Sequence, residues 1–175
     1  SNSNVAAFIP TYGGTFGSVI PTYSNTYTLG SSTNWFSTAY TQSVQAKYAD
    51  LAEMYQSDAV YESGTLMILC GDFDATSSKI SHDSKVLGVV STNPAYLMNN
   101  NFSKDNWLPI ALTGRVPCKV KGPVEKGDIL VSSDVEGVAQ KLNTLEFQHG
   151  CIIGKSMGVI LDDSITKIEV AIGRY

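Results

Sequence analysis

Charge is scarce in this chain and, over its first part, absent: from Ser1 to Ala46 there is no Asp, Glu, Lys or Arg. Charged residues make up 16% of the 175, against roughly 25% in an ordinary soluble protein. The net charge is -4, which removes the electrostatic reason to expect nucleic acid as a partner, since phosphate binding calls for a basic patch. No run reaches the 18 apolar residues of a membrane span, and the start, SNSNVAAF, lacks the basic and apolar stretches of a signal peptide. Cysteine is sparse as well. Cys70, Cys118 and Cys151 are odd in number and widely spaced, with no C-x-x-C, which argues against a disulfide framework and a zinc cluster. They read as reduced, mostly buried thiols of a protein made in a reducing cytosol.

Other site chemistries are equally thin. His82 and His149 lie far apart without metal-ligand spacing, so both are expected on loop and surface. GDFDATSSKISHDSK, from Gly71 to Lys85, lacks the Gly-and-Glu frame of a calcium loop and reads as a solvated hairpin. Ser78-Lys79 and Lys155-Ser156 cannot each form a Ser/Lys dyad, because neighbours on a strand point to opposite faces. No Gly-rich turn opens a helix as a phosphate cradle. Neither metal nor cofactor is expected.

What the uncharged segment does contain is aromatic: Phe8, Tyr12, Phe16, Tyr23, Tyr27, Trp35, Phe36 and Tyr40. Disordered segments are poor in such residues. Near a threefold axis each side chain meets two copies of itself, and like charges there repel in a poorly screened space. Uncharged polar and aromatic residues avoid that penalty, so close homotrimeric packing is expected of residues 1–46. An ordinary β-rich segment of a monomer is the alternative.

Residues 47–175 are expected to be a separate head. At the seam Val44, Tyr48, Leu51 and Tyr55 recur at spacings of four, three and four, which predicts one face of a short helix. From Tyr61 onward, runs such as KVLGVVS, LPIALTGRVPCKV, GDILVSS and GCIIGKSMGVIL are β-rich stretches cut by turn residues. Gly88, Gly114, Gly154 and Gly158 inside these runs predict bulges and sharp bends. The expected fold class is all-β, a compact barrel or sandwich head with at most one or two short helices.

Two resemblances sharpen this. The stretch from Ile20 to Ala46, IPTYSNTYTLGSSTNWFSTAYTQSVQA, resembles a repeat common near the ends of tailed-phage fibres, with Pro21, Tyr27, Leu29, Gly30, Ser31, Ser32, Trp35 and Tyr40 in its positions. Many such repeats carry a basic residue before the Trp, where this chain has Asn34; the resemblance implies that residues 1–46 are an extended, β-rich trimeric stalk feeding a terminal domain. Four further blocks, ADLAEMY, VLGVVSTNPAYLMN, IALTGRVPCKVKGPVEKGDILVSS and IIGKSMGV, resemble in order and spacing the intramolecular-chaperone autoprocessing domain of phage tail fibres and podovirus neck appendages. The resemblance covers about Tyr48 to Tyr175. It implies a virion structural protein, assembled in the host cytoplasm, whose C-terminal domain helps three chains find register and can contact a host-surface glycan or protein.

In some relatives the domain then cuts itself off before the Asp of an Asp-x-x-Glu pair. Carried over, the bond is Ala49-Asp50, and Asp50 with Glu53 is the acidic pair. Two carboxylates brought close and partly desolvated cannot both ionise easily, so one can serve as acid and the other as base. Ala49 stands where cleaved relatives can carry Ser, leaving only a carboxylate-driven route. A simpler use of the same residues is a capping box, with Asp50 as N-cap and Glu53 at N3. Trp35, Tyr40, Tyr48, Leu51, Tyr55, Asn93, Pro94 and Arg115 are expected at structural or subunit contacts, Arg115 neutralising Asp50 or Glu53. Tyr96, Phe102 and Trp107, in an Asn-rich loop from Asn93 to Trp107, are candidates for receptor contact, as in a carbohydrate-binding tip.

Overall fold

The computed structural model describes residues 20–100 and 106–173. The chain divides into two units, Ser1–Val44 and Gln45–Tyr175. In the first, Ser31–Asn34 close a turn. The Ser31 N–H donates to the Asn34 carbonyl at 3.0 Å, and the Asn34 N–H donates to Ser31 Oγ at 3.0 Å. Gly30 sits at φ +84, where a Cβ would stand 3.1 Å from the Asn34 carbonyl oxygen; the Leu-Gly-Ser-Ser run is therefore the requirement of this turn. Trp35 is 65% exposed and Tyr40 96%, so among the described residues the aromatic frame is left mostly uncovered.

The second unit is built on strands β1 (Asp50–Gln56), β2 (Leu66–Ile68), β3 (Thr76–Ser77), β4 (Val86–Val90), β5 (Tyr96–Met98), β6 (Trp107–Lys121), β7 (Ile129–Ser132), β8 (Ala139–Lys141), β9 (Ile152–Ser156) and β10 (Ile165–Ile172). Among the described residues its one helical turn is a 3-10 turn at Thr144–Glu146. Among the described residues no helix is long and apolar enough to cross a membrane. The all-β head is as expected.

The 15-residue β6 belongs to two sheets at once. Its second half closes a five-stranded barrel in the order β6, β8, β7, β9, β10 and back to β6. Its first half pairs with β1 on one side and β4 on the other, extending the sheet outward to β5 and to β2 and β3. Between the halves the register slips: Leu51 faces Thr113, but Ala52 faces Ala111. Leu112 is the extra residue, and a bulge of this kind changes which residues point inward. Leu108 and Ile110 accordingly pack in one cluster with Met67, Ala75 and Val90. Ala111, Val116, Cys118 and Val120 pack in the other, with Leu130, Ile153, Val170 and Ile172.

Three local expectations are corrected. Residues 50–56, read as helical, form β1. Asp50, Ala52 and Met54 are buried while Leu51, Glu53 and Tyr55 are half-buried on the other side, a period of two that the β6 ladder enforces. The capping box falls with the helix. The stretch Gly71 to Lys85 is no solvated hairpin: it carries β3 and buries Ala75, Ser77, Ser78 and Asp83. His82, within it, is buried, not on the surface. The cysteines are mostly buried, as expected: Cys118 and Cys151 are buried and Cys70 is exposed.

Candidate functional site

Ala49 and Asp50 stand where the chain enters β1. Ala49 is exposed and Asp50 only 5% so, so the peptide bond between them lies at the boundary of solvent and core. Three backbone and side-chain contacts hold it. The Arg115 N–H donates to the Ala49 carbonyl at 3.2 Å, and the Ala95 N–H donates to the Asp50 carbonyl at 2.8 Å. Ser91 Oγ donates to Asp50 Oδ2 at 2.6 Å in a buried hydrogen bond. Ser91 follows β4, whose pairing with β6 brings it beneath the start of β1.

Gly114 is what permits the approach. Its φ is +112, and a Cβ there would lie 2.1 Å from the Ala49 carbonyl oxygen. Only glycine fits that conformation and that contact. Above the bond lies an open cleft of about 300 Å³ lined by Tyr48, Asp50, Ser91, Asn93, Arg115 and Glu169, among others.

The structure thus brings Asp50, Asn93 and Arg115 together and leaves Glu53 out. Successive strand residues alternate faces, so Asp50 and Glu53, three apart, point to opposite sides of β1. Glu53 instead accepts a hydrogen bond from the Tyr55 hydroxyl at 3.0 Å. Burial, that hydrogen bond and the Glu53 charge push the Tyr55 phenol up to about 12. The Arg115 side chain is exposed and forms no ion pair among the described residues.

Ser91 was missed by sequence reasoning. It stands inside VLGVVSTNPAYLMN, one residue removed from Asn93-Pro94, but a lone serine after a strand carries no signal until its long-range partner is known. Of the other candidates, Tyr48 is 49% exposed and Leu51 and Tyr55 are half-buried in β1. Tyr96 lies in β5, exposed and paired in parallel to β1, so it is part of a strand and not of a loop. Trp107 opens β6 and is half-buried; Phe102 lies outside the described residues.

A second cluster forms around His82. Its Nδ1 lies 2.7 Å from Ser81 Oγ and 3.3 Å from Glu146 Oε2, and its Nε2 accepts the Asn143 N–H at 3.1 Å. A nucleophile relay needs the nucleophile's hydroxyl and the carboxylate on opposite ring nitrogens of the histidine base. Here both oxygens face Nδ1 and a backbone amide occupies Nε2, so the cluster clamps the 3-10 turn to the core. Among the described residues no group of three or more His, Cys, Asp or Glu side chains could hold a metal.

This organisation is similar to that of two solved structures of bacteriophage phi29 gene product 12. The first, its C-terminal fragment, has a TM-score of 0.54 at 13% identity, covering 71% of this chain and 100% of that one. The second, the pre-mature gene product 12, has a TM-score of 0.58 at 13% identity, covering 78% of this chain and 23% of that one. At such identity the likeness is one of fold, and in the fold the phage-fibre resemblance read from the sequence is met. No protein-family profile matches the sequence, and no curated protein matches it.

Proposed function

We propose that this chain is the C-terminal trimerisation and folding module of a phage tail fibre, a structural protein of the virion assembled in the host cytoplasm. The observation that carries the reading is the barrel-and-extension fold, similar over the whole length of the phi29 gene product 12 C-terminal fragment. The uncharged segment supports it, because Tyr23, Tyr27, Leu29, Trp35, Phe36 and Tyr40 are all more than half exposed in the single chain. Two further copies of the segment would cover them without bringing like charges together. Residues 1–46 then belong to the stalk and residues 47–175 to the head. Light scattering tests this: a solution mass of three times the 18.8 kDa chain is expected, and a clean monomer overturns it. Contact with a host-surface glycan or protein would fall to exposed β5, where Tyr96, Leu97 and Met98 are at least a third exposed. Glycan-array binding lost in Tyr96→Ala checks that role.

A second reading is favoured by the Ala49-Asp50 bond itself: the chain cuts there once and releases its head. A buried carboxylate, an amide N–H on the adjacent carbonyl and an open cleft are the parts that peptide hydrolysis uses. Mass spectrometry of freshly made protein is expected to find fragments broken at Ala49-Asp50 and none in Asp50→Ala.

A further inference from the structure

We propose that Ser91 is the positioning residue of self-cleavage and that the Arg115 backbone amide is its oxyanion donor. The proposal rests on the cleavage reading and adds which groups of the chain make that bond reactive.

Asp50 is followed in β1 by residues that alternate in and out, so its carboxylate cannot be steadied by Glu53 on the far face. What steadies it is the Ser91 hydroxyl, 2.6 Å from Oδ2 and buried with it. Ser91 is itself 5% exposed, and its own N–H donates to the Pro109 carbonyl at 2.8 Å. It is therefore tied to β6, the strand that also supplies the Arg115 amide. One rigid strand thus sets both the carboxylate and the carbonyl it must act on, the arrangement that turns a weak acid–base pair into an oriented one.

Bound as Oδ2 is, the second carboxylate oxygen, Oδ1, is left for water from the cleft. In the step, the Asp50 carboxylate takes a proton from that water as the water oxygen bonds to the Ala49 carbonyl carbon. The carbonyl π pair moves onto the oxygen, where the Arg115 N–H stabilises the developing negative charge. Collapse re-forms the carbonyl and breaks the C–N bond, and the Asp50 carboxyl returns its proton to the departing nitrogen. The products are the Ala49 carboxylic acid and the Asp50 α-amine, which exchange a proton to stand as carboxylate and ammonium, with one water consumed and no other reactant.

The test compares Ser91→Thr with Ser91→Val, which share a shape and differ by the hydroxyl. Each is made in the full chain, and cutting is followed by mass spectrometry at equal folded fraction, set by circular dichroism. Ser91→Thr is expected to cut near the wild-type rate and Ser91→Val on the order of a hundredfold slower. Equal rates in the two variants, with the wild type cutting, overturn the role of Ser91 while leaving the cleavage reading in place. A wild-type chain that stays whole overturns the cleavage reading and the proposal with it.

Discussion

The three thiols show how strongly local surroundings divide chemically identical groups. Burial pushes the Cys118 thiol up to about 12, and Cys151 is buried as well, whereas Cys70 is exposed. Because the thiolate is the reactive form and must be reached, native protein is expected to give one equivalent with a thiol reagent and denatured protein three. A second native equivalent would show that the barrel opens. Tyr55 offers a parallel test. Its raised pKa means that the unfolded chain loses this phenolic proton near pH 10 while the folded chain keeps it. The associated stability is complete below pH 10 and is lost as pH rises towards about 12. Glu53→Gln removes the hydrogen-bonded anion but not the burial. Tyrosinate absorbance is expected to show the Tyr55 midpoint moving down in that variant yet staying above the free value.

At the scale of the element, β6 decides most. Its bulge at Leu112 hands one strand to two cores, and Gly114, just beyond, lets β1 come within contact of it. Gly114→Ala adds a Cβ where the Ala49 carbonyl already stands. A loss of ~2–4 kcal/mol is expected in urea unfolding, with the first turns of β1 exchanging amide protons faster than the barrel. Ile110→Ala, a fully buried truncation in the same strand, is expected to cost about 2–5 kcal/mol without that local signature. The element scale is also where sequence reading went astray. Val44, Tyr48, Leu51 and Tyr55 fit a helical face by spacing, yet Asp50, Ala52 and Met54 fit a strand equally well. Seven residues are too few for periodicity to choose, and the pairing partner that chooses, β6, lies some fifty positions away.

For the whole molecule, several carboxyls lie below their usual range. The Lys119 ammonium lowers Glu62, and the Ser77 hydroxyl and Lys79 lower Glu136. At Asp128 desolvation is outweighed by the Glu125 N–H and the Lys141 ammonium together. Groups with depressed folded values stabilise the fold above the unfolded carboxylate range and cease to do so as pH falls through the folded values. The thermal midpoint is therefore expected to hold near neutrality and to fall below about pH 4. Because each of these pairs has at least one exposed partner, added salt should flatten that dependence; a salt-insensitive midpoint would overturn this origin of the acid limb.

The sequence by itself determined the class of this protein. Alternating β-branched runs with turn residues between them specify an all-β head, because such runs can bury a face only as paired strands. The break at Ala46 separates an uncharged aromatic segment from a charged one, since charge content is a property of composition alone. The Leu-Gly-Ser-Ser run was legible as part of a repeat, whereas the turn it closes came from the structure. Contacts between distant positions were decided only by the tertiary structure: that Asp50 belongs with Ser91 and the Arg115 amide and not with Glu53, and that His82 is buried under Asn143. A strand's side chains acquire their partners from the register of the strands beside it, and here that register depends on one bulge in β6, which no local pattern announces.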